Sequence, residues 1–247
     1  LTFAGRIEKP ARLRPGKTSV HWRLLQLNTP LRGGVKILAD DDGRPSLRAD
    51  IPLDSGEMVA SRIPEVLDGF RQGAVRLARR SRRTQQQDLL SVVGGEAEPP
   101  GVNLGDLCAT AGWASTERSD SRLAVSLETS RATPLRAVVE RSHAGGVRAG
   151  VELLSGQKWP SVCREALGRL LGIVAASVKM VRGIRPRQGD TEKLELEVSF
   201  DTAPTAEEIH HALSALSVAG GMCAEEVKLL TGEDLAAAWL EARSAEA

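Results

Sequence analysis

The string Ala11-Arg12-Leu13-Arg14-Pro15-Gly16-Lys17-Thr18 has the Lys-Thr ending and the length of a phosphate-binding loop, with alanine in place of the first glycine. Such a loop works only when a buried strand delivers it, free backbone amides wrap the phosphates and a helix starts at the Lys-Thr pair. Here Arg6 to Pro10 is polar, Pro15 removes an amide from the cradle, and Ser19 to Asn28 is expected to continue as a strand. The string is therefore read as a turn, and no nucleotide or other cofactor is assigned to it. A second feature is a run of six arginines, Arg71, Arg76, Arg79, Arg80, Arg82 and Arg83, at the end of an expected helix. Cations at a helix C-terminus are favoured by the aligned peptide dipoles. The same charge is also what an anion or a nucleic-acid backbone would meet. Arginine outnumbers lysine 26 to 7 along the whole chain, so the run stands out less than it would elsewhere.

Other reactive side chains are read as structural. His210 and His211 precede Cys223, Glu225 and Glu226, but adjacent helical residues point about 100° apart and cannot easily share one ion. Cys108, Cys163 and Cys223 each sit among apolar residues, where a small buried thiol is the default, and none has a histidine at an interpretable position. Asp40-Asp41-Asp42-Gly43 lacks the later ligands of a calcium loop and is a turn. No catalytic residue and no metal ligand is assigned. An enzyme would need a site assembled from distant loops.

The elements that must position any site follow from composition and period. The chain has 247 residues, 41% hydrophobic and 26% charged, enough for one large domain or two of ordinary size. Three cysteines far apart point to a reducing compartment, hence a cytoplasmic setting, and no apolar run is long enough to span a bilayer. Aromatic content is 3%, with no tyrosine, which argues against sites that stack bases or sugars. Residues 1–100 carry 17 Lys and Arg against 12 Asp and Glu, and the remainder 16 against 20. Halves of opposite charge are suited to pack together or to oligomerise.

An internal repeat organises the rest. Thr29-Pro30-Leu31-Arg32 recurs as Thr133-Pro134-Leu135-Arg136; Leu47 to Leu53 is answered by Val147 to Leu153; and Arg62-Ile63-Pro64-Glu65-Val66 is answered by Lys158-Trp159-Pro160-Ser161-Val162. The first copy is expected to form strands at His21–Asn28, Val35–Ala39 and Leu47–Leu53. An amphipathic helix then follows through Val59, Ile63, Val66, Phe70, Ala74 and Leu77, kinked or restarted at Pro64. The second copy gives strands at Leu123–Glu128, Leu135–Arg141 and Val147–Leu154, then a more buried helix from Pro160 to Val181. A short helix at Asn103–Trp113 opens this unit, and residues 84–102 link the copies. Leu194–Phe200 is a further strand. Thr205-Ala206-Glu207-Glu208 caps a helix that Gly220-Gly221 is expected to break near Val218, and a last helix ends near Arg243.

The fold class is thus α+β: two tandem modules, 1–98 and 99–247, each a three-strand antiparallel meander covered by a helix and related by a pseudo-twofold. The sequence leaves open whether residues before Leu1 or the C-terminal helices complete the first module. The helix, three-strand, helix, strand, helix order of 103–247, with Leu47-Arg48-Ala49-Asp50-Ile51-Pro52-Leu53 leading into the Ser55–Arg80 helix, resembles the type III secretion chaperone-like fold and the YbjN-type proteins. That resemblance implies a tandem pseudo-dimer with protein binding as its commonest role, and no catalytic residues. The expected function is a non-catalytic protein-interaction or chaperone-like module with a protein partner, homo-oligomers included. The alternative is anion or nucleic-acid binding through Arg71–Arg83.

Overall fold

The computed structural model describes residues 2–6, 19–29, 31–39, 44–52, 56–78, 102–119, 121–130, 134–142, 146–156, 158–188 and 191–245. The fold is α+β, with two antiparallel sheets. The smaller sheet has the order β1 (Thr2–Arg6), β3 (Pro45–Asp50), β2 (Val35–Ala39). Strand β3 alternates, with Leu47 and Ala49 buried and Ser46 and Arg48 half-buried, so one face carries the apolar side chains. Helix α2 (Gly56–Ala78) packs on β2 and β3, closing a core of Val35, Ile37, Leu47, Ala49, Val66 and Leu77. It runs unbroken through Pro64, which lies on its exposed side.

The larger sheet has the order β4 (Ser115–Ser119), β5 (Arg122–Leu127), β6 (Leu135–Arg141), β7 (Val147–Gly156), β10 (Thr191–Phe200), β8 (Arg182–Ile184). The two-residue β9 (Arg187–Gln188) also pairs with β10. Val147, Ala149 and Val151 on β7 and Leu194, Leu196, Val198 and Phe200 on β10 turn to one face, as the period of two requires. Helix α5 (Ala206–Leu229) runs along β5, β6, β7 and β10. Helix α3 (Leu104–Thr110), capped by Asn103, packs beside α5, and α4 (Ser161–Ser177) packs on α1 (Val20–Asn28), α5 and α6 (Glu233–Ala245).

Several expectations are corrected. His21–Asn28 is not a strand but part of helix α1. The Ser19 side chain caps that helix by accepting the Trp22 amide, and after Val20 the segment has no β-branched residue to favour extension. Trp22 and Leu25 enter the core of the larger sheet while Leu24 enters that of the smaller, so α1 faces both. The first half therefore lacks a sequential meander. Its third strand is β1, paired to the far edge of β3. The two halves share the order strand, strand, helix (β2-β3-α2 and β6-β7-α4), and the elements before it differ.

The second correction concerns Gly220-Gly221, which do not break a helix. Helix α5 continues through them to Leu229. A Cβ at Gly220 would collide with Leu135, and one at Gly221 would touch Thr129 and Ser130 at 3.4 Å. The glycines let the helix approach the turn between β5 and β6. Helix α4 also ends earlier than expected, at Ser177, and the chain turns through Met180 at φ 66 into β8.

Candidate functional site

The charged groups that converge in this molecule do so where the two sheets meet. Lys36 on β2 is fully buried, and its ammonium pairs with Asp50 of β3 at 2.9 Å. The same ammonium donates to the carbonyls of Ala175 (2.6 Å), Val178 (3.2 Å) and Val181 (3.2 Å). These lie in and just beyond the last turn of α4, the negative end of its dipole, so a lysine from one sheet caps a helix from the other half. Arg48 adds a bond to the Ala176 carbonyl at 3.1 Å. Asp50 accepts from Thr2 (2.8 Å), Arg48 (3.0 Å) and the Met180 amide (3.2 Å). Burial raises the Asp50 carboxyl, but Lys36 and the donors around it outweigh that and hold it below its usual range. Burial lowers the Lys36 ammonium, and Asp50 offsets this only in part.

Arg62 of α2 makes the second junction. Its guanidinium forms two parallel bonds to Glu208 of α5, at 2.8 and 2.7 Å, and others to Glu65 (2.8 Å), Thr202 (2.5 Å) and the Ala203 carbonyl (3.2 Å). It also lies over the Phe200 ring, 5.3 Å from its centroid. Glu208 meanwhile closes the capping box of α5, accepting the Thr205 amide at 2.9 Å. One carboxylate thus anchors both a helix start and the other half of the chain. Burial raises the Asp201 carboxyl, and neighbouring Glu65 raises it further.

Between these junctions opens a small cleft lined by Ile51, Val66, Met180, Val198 and Phe200 together with Arg62, Glu65 and Asp50. Gly33, at φ 64, passes so close to α2 that a Cβ would collide with the Glu65 carbonyl. The charges at the cleft hold one another. That arrangement suits a structural lock better than a site for a charged ligand.

The sheet edges are joined in the same manner. The Asn28 side chain donates to the carbonyls of Ile37 and Gly183, both at 3.2 Å, and accepts the Ile37 amide at 2.7 Å, linking β2 to β8. Arg182 binds Glu197 and the Val35 carbonyl. Arg185 lies 4.9 Å from the centroid of Trp22 and pairs with Glu192 and Gln26. On the polar face of the larger sheet, Arg148 is gripped by Glu140, Glu195 and Glu197.

Of the six arginines singled out by the sequence, Arg71 and Arg76 are on α2, while Arg79, Arg80, Arg82 and Arg83 lie outside the described residues. Arg71 is 78% exposed and pairs with Asp68 at 2.9 Å. The Ala11–Thr18 string and the Asp40–Gly43 turn also lie outside the described residues. His210 hydrogen-bonds the Ala111 carbonyl and leans on Trp113. The three cysteines are buried and free, and burial pushes the Cys108 and Cys163 thiols up, away from the thiolate form a nucleophile needs. Among the described residues no group of three or more His, Cys, Asp or Glu could hold a metal ion, and no helix is long and apolar enough to cross a membrane.

Some large apolar side chains also face outward. On α2, Ile63, Leu67 and Val75 are exposed, Leu67 by 64%, together with Ala60 and Pro64 on the same side. Arg71 falls between Leu67 and Val75 at spacings of four. On α5, Val218, Met222 and Leu229 are exposed and align at spacings of four and seven, with Glu225 between the last two. No family model matches the chain, and no curated protein or solved structure is significantly similar to it.

Proposed function

We infer that this chain is a non-catalytic protein-binding module of the chaperone-like kind, and that a protein partner docks on the outward face of α2. The observation that carries this reading is the stripe of Ile63, Leu67 and Val75, presented by a helix whose other side is fixed to the smaller sheet. Two features support it. The charged groups at the cleft are committed to one another, and the resemblance to secretion chaperone-like modules has protein binding as its commonest role. Three buried reduced cysteines support a cytoplasmic setting.

The test is a photo-crosslinking amino acid at Val75, introduced in the chain expressed in its own cells. A discrete protein adduct is expected, and Leu67→Asp in the same chain should abolish it. No adduct, or one indifferent to Leu67→Asp, contradicts the reading. A polyanion held along Arg71–Arg83 would leave no protein adduct. It would show instead as nucleic-acid binding that falls steeply with salt.

A further inference from the structure

The junction where α2 meets the turn from β10 into α5 holds more carboxylates than its cation can satisfy. Arg62 spends all five of its N–H groups there: two on Glu208, one on Glu65, one on Thr202 and one on the Ala203 carbonyl. Glu65 also accepts from the Thr202 hydroxyl, and its second oxygen faces the Asp201 amide at 3.4 Å. Asp201, half-buried beside this pair, is the carboxylate left over: among the described residues it takes part in no ion pair. The charges around it come from four directions. They are Glu65 with Arg62 and Asp68 on α2, Arg32 ahead of β2, Arg182 on β8 and Glu208 on α5. Arg182 is already bound to Glu197 and Ser199, and Arg32 is shared with Asp68. On the remaining side Gly146 packs against the Phe200 and Asp201 carbonyls and brings no charge. Burial and Glu65 together outweigh the Arg32 and Arg182 cations and the Gly33 amide, so the Asp201 carboxyl is held above its ordinary value.

We propose that Asp201 is a proton-operated clasp between the halves: ionised, it pushes α2 away from the turn after β10, and protonated, it draws the two together. A proton removes one of two like charges and supplies an O–H donor beside Glu65. The Arg32–Gly34 segment closes with it, because Gly33 packs against the Glu65 carbonyl and Gly34 faces the Ser199 carbonyl. A carboxyl whose folded-state pKa is raised adds stability as pH falls through that value, and the gain is complete at the unfolded value of 3.8. Asp50, Asp68 and Glu165 are held below their usual ranges and act in the opposite sense, in stronger acid. The gain therefore comes first as pH drops from neutral. The clasp belongs to the junction alone and does not depend on what the outer face of α2 binds.

Carboxyl-carbon NMR titration of the purified full chain tests this without any variant. Asp201 should titrate above 3.8, and Glu65→Gln should lower its midpoint. In urea, the unfolding midpoint of the wild-type chain should rise between neutral pH and about pH 5. Asp201→Asn, the neutral isostere, should already show the higher midpoint at neutral pH and lose most of the rise. Burial also raises the Glu195 carboxyl, on the polar face of the larger sheet, so Glu195→Gln is the control. At neutral pH, Asp201→Asn should increase hydrogen-exchange protection over residues 31–35 and 201–205, and Glu195→Gln should leave it unchanged. A wild-type Asp201 midpoint at or below 3.8 overturns the proposal. So does a rise that persists in Asp201→Asn or one that vanishes in Glu195→Gln.

Discussion

At the scale of single residues, Lys36 and Asp50 show how a buried charge can decide a fold without appearing in any motif. An ammonium removed from water costs several kcal/mol, and only a full set of acceptors offsets that. Lys36 has them: one carboxylate and three carbonyls, drawn from both halves. Lys36→Met should therefore cost about 3–5 kcal/mol in urea unfolding, because Asp50 and the end of α4 lose their partner together. A loss below about 1 kcal/mol would mean water replaces the ammonium. None of this was legible in the sequence. Lys36 is a lone charge in a strand, and its partners at 175, 178 and 181 share no local pattern with it. Glu208 was legible as the N3 residue of a capping box, and only the tertiary structure shows that it also holds Arg62.

Glu165 carries a pH dependence of the same origin. Burial raises its carboxyl, but His21 at 3.5 Å, the neighbouring Ser19 and the Arg169 guanidinium, which donates to it at 2.6 Å, outweigh that and hold it at about 2, against 4.5 for the unperturbed group. A carboxyl with a depressed folded-state pKa contributes stability that is complete above the unfolded value and is lost as pH falls through the folded one. Part of the stability should thus decline between pH 4.5 and about 2. Glu165→Gln should flatten that part of the curve. An unchanged slope would show that the α1–α4 contact does not depend on this carboxylate.

Among the elements, the longer strands and helices were legible from their periods, whereas α1, β1 and β4 were not. The strands at Val35–Ala39, Leu135–Arg141 and Val147–Leu154 all appear, the last extended to Gly156. Helix α1 was missed because Leu24, Leu25 and Leu27 serve two cores at once, which blurs a helical stripe into an apolar run. The Ser19 cap and the scarcity of β-branched residues were the available signals. Gly220-Gly221 misled for a different reason: a glycine pair reads as a break unless a neighbour needs the space, and here Leu135 does. Gly33 makes the converse point. Its left-handed backbone and its approach to the Glu65 carbonyl are both required to seat α2. Gly33→Ala should cost at least about 1–2 kcal/mol in unfolding free energy, and a smaller loss would mean that α2 can shift without penalty.

At the scale of the whole molecule, two kinds of surface do two kinds of work. Where the sheets meet, polar groups hold each other and fasten α2 to α5 and β2 to α4. On the outside, α2 presents Ile63, Leu67 and Val75, and α5 presents Val218, Met222 and Leu229. The sequence made the opposite charge of the halves legible, but not which charges would be buried between them and which would remain outward. Three-dimensional proximity decides that, and residues such as Arg62 and Glu208, 146 positions apart, carry no local sign of meeting.

The most direct measurement compares the Val75 crosslinking yield, at matched protein levels, in two variants: Leu67→Asp, altered on the outer face, and Arg62→Lys, altered at the junction. Leu67→Asp should lose the adduct while its unfolding free energy stays within about 0.5 kcal/mol, as for an exposed position. Arg62→Lys should keep the adduct although its stability falls. An adduct that survives Leu67→Asp and disappears with Arg62→Lys would contradict this reading and move the binding surface from the outer face of α2 to the cleft.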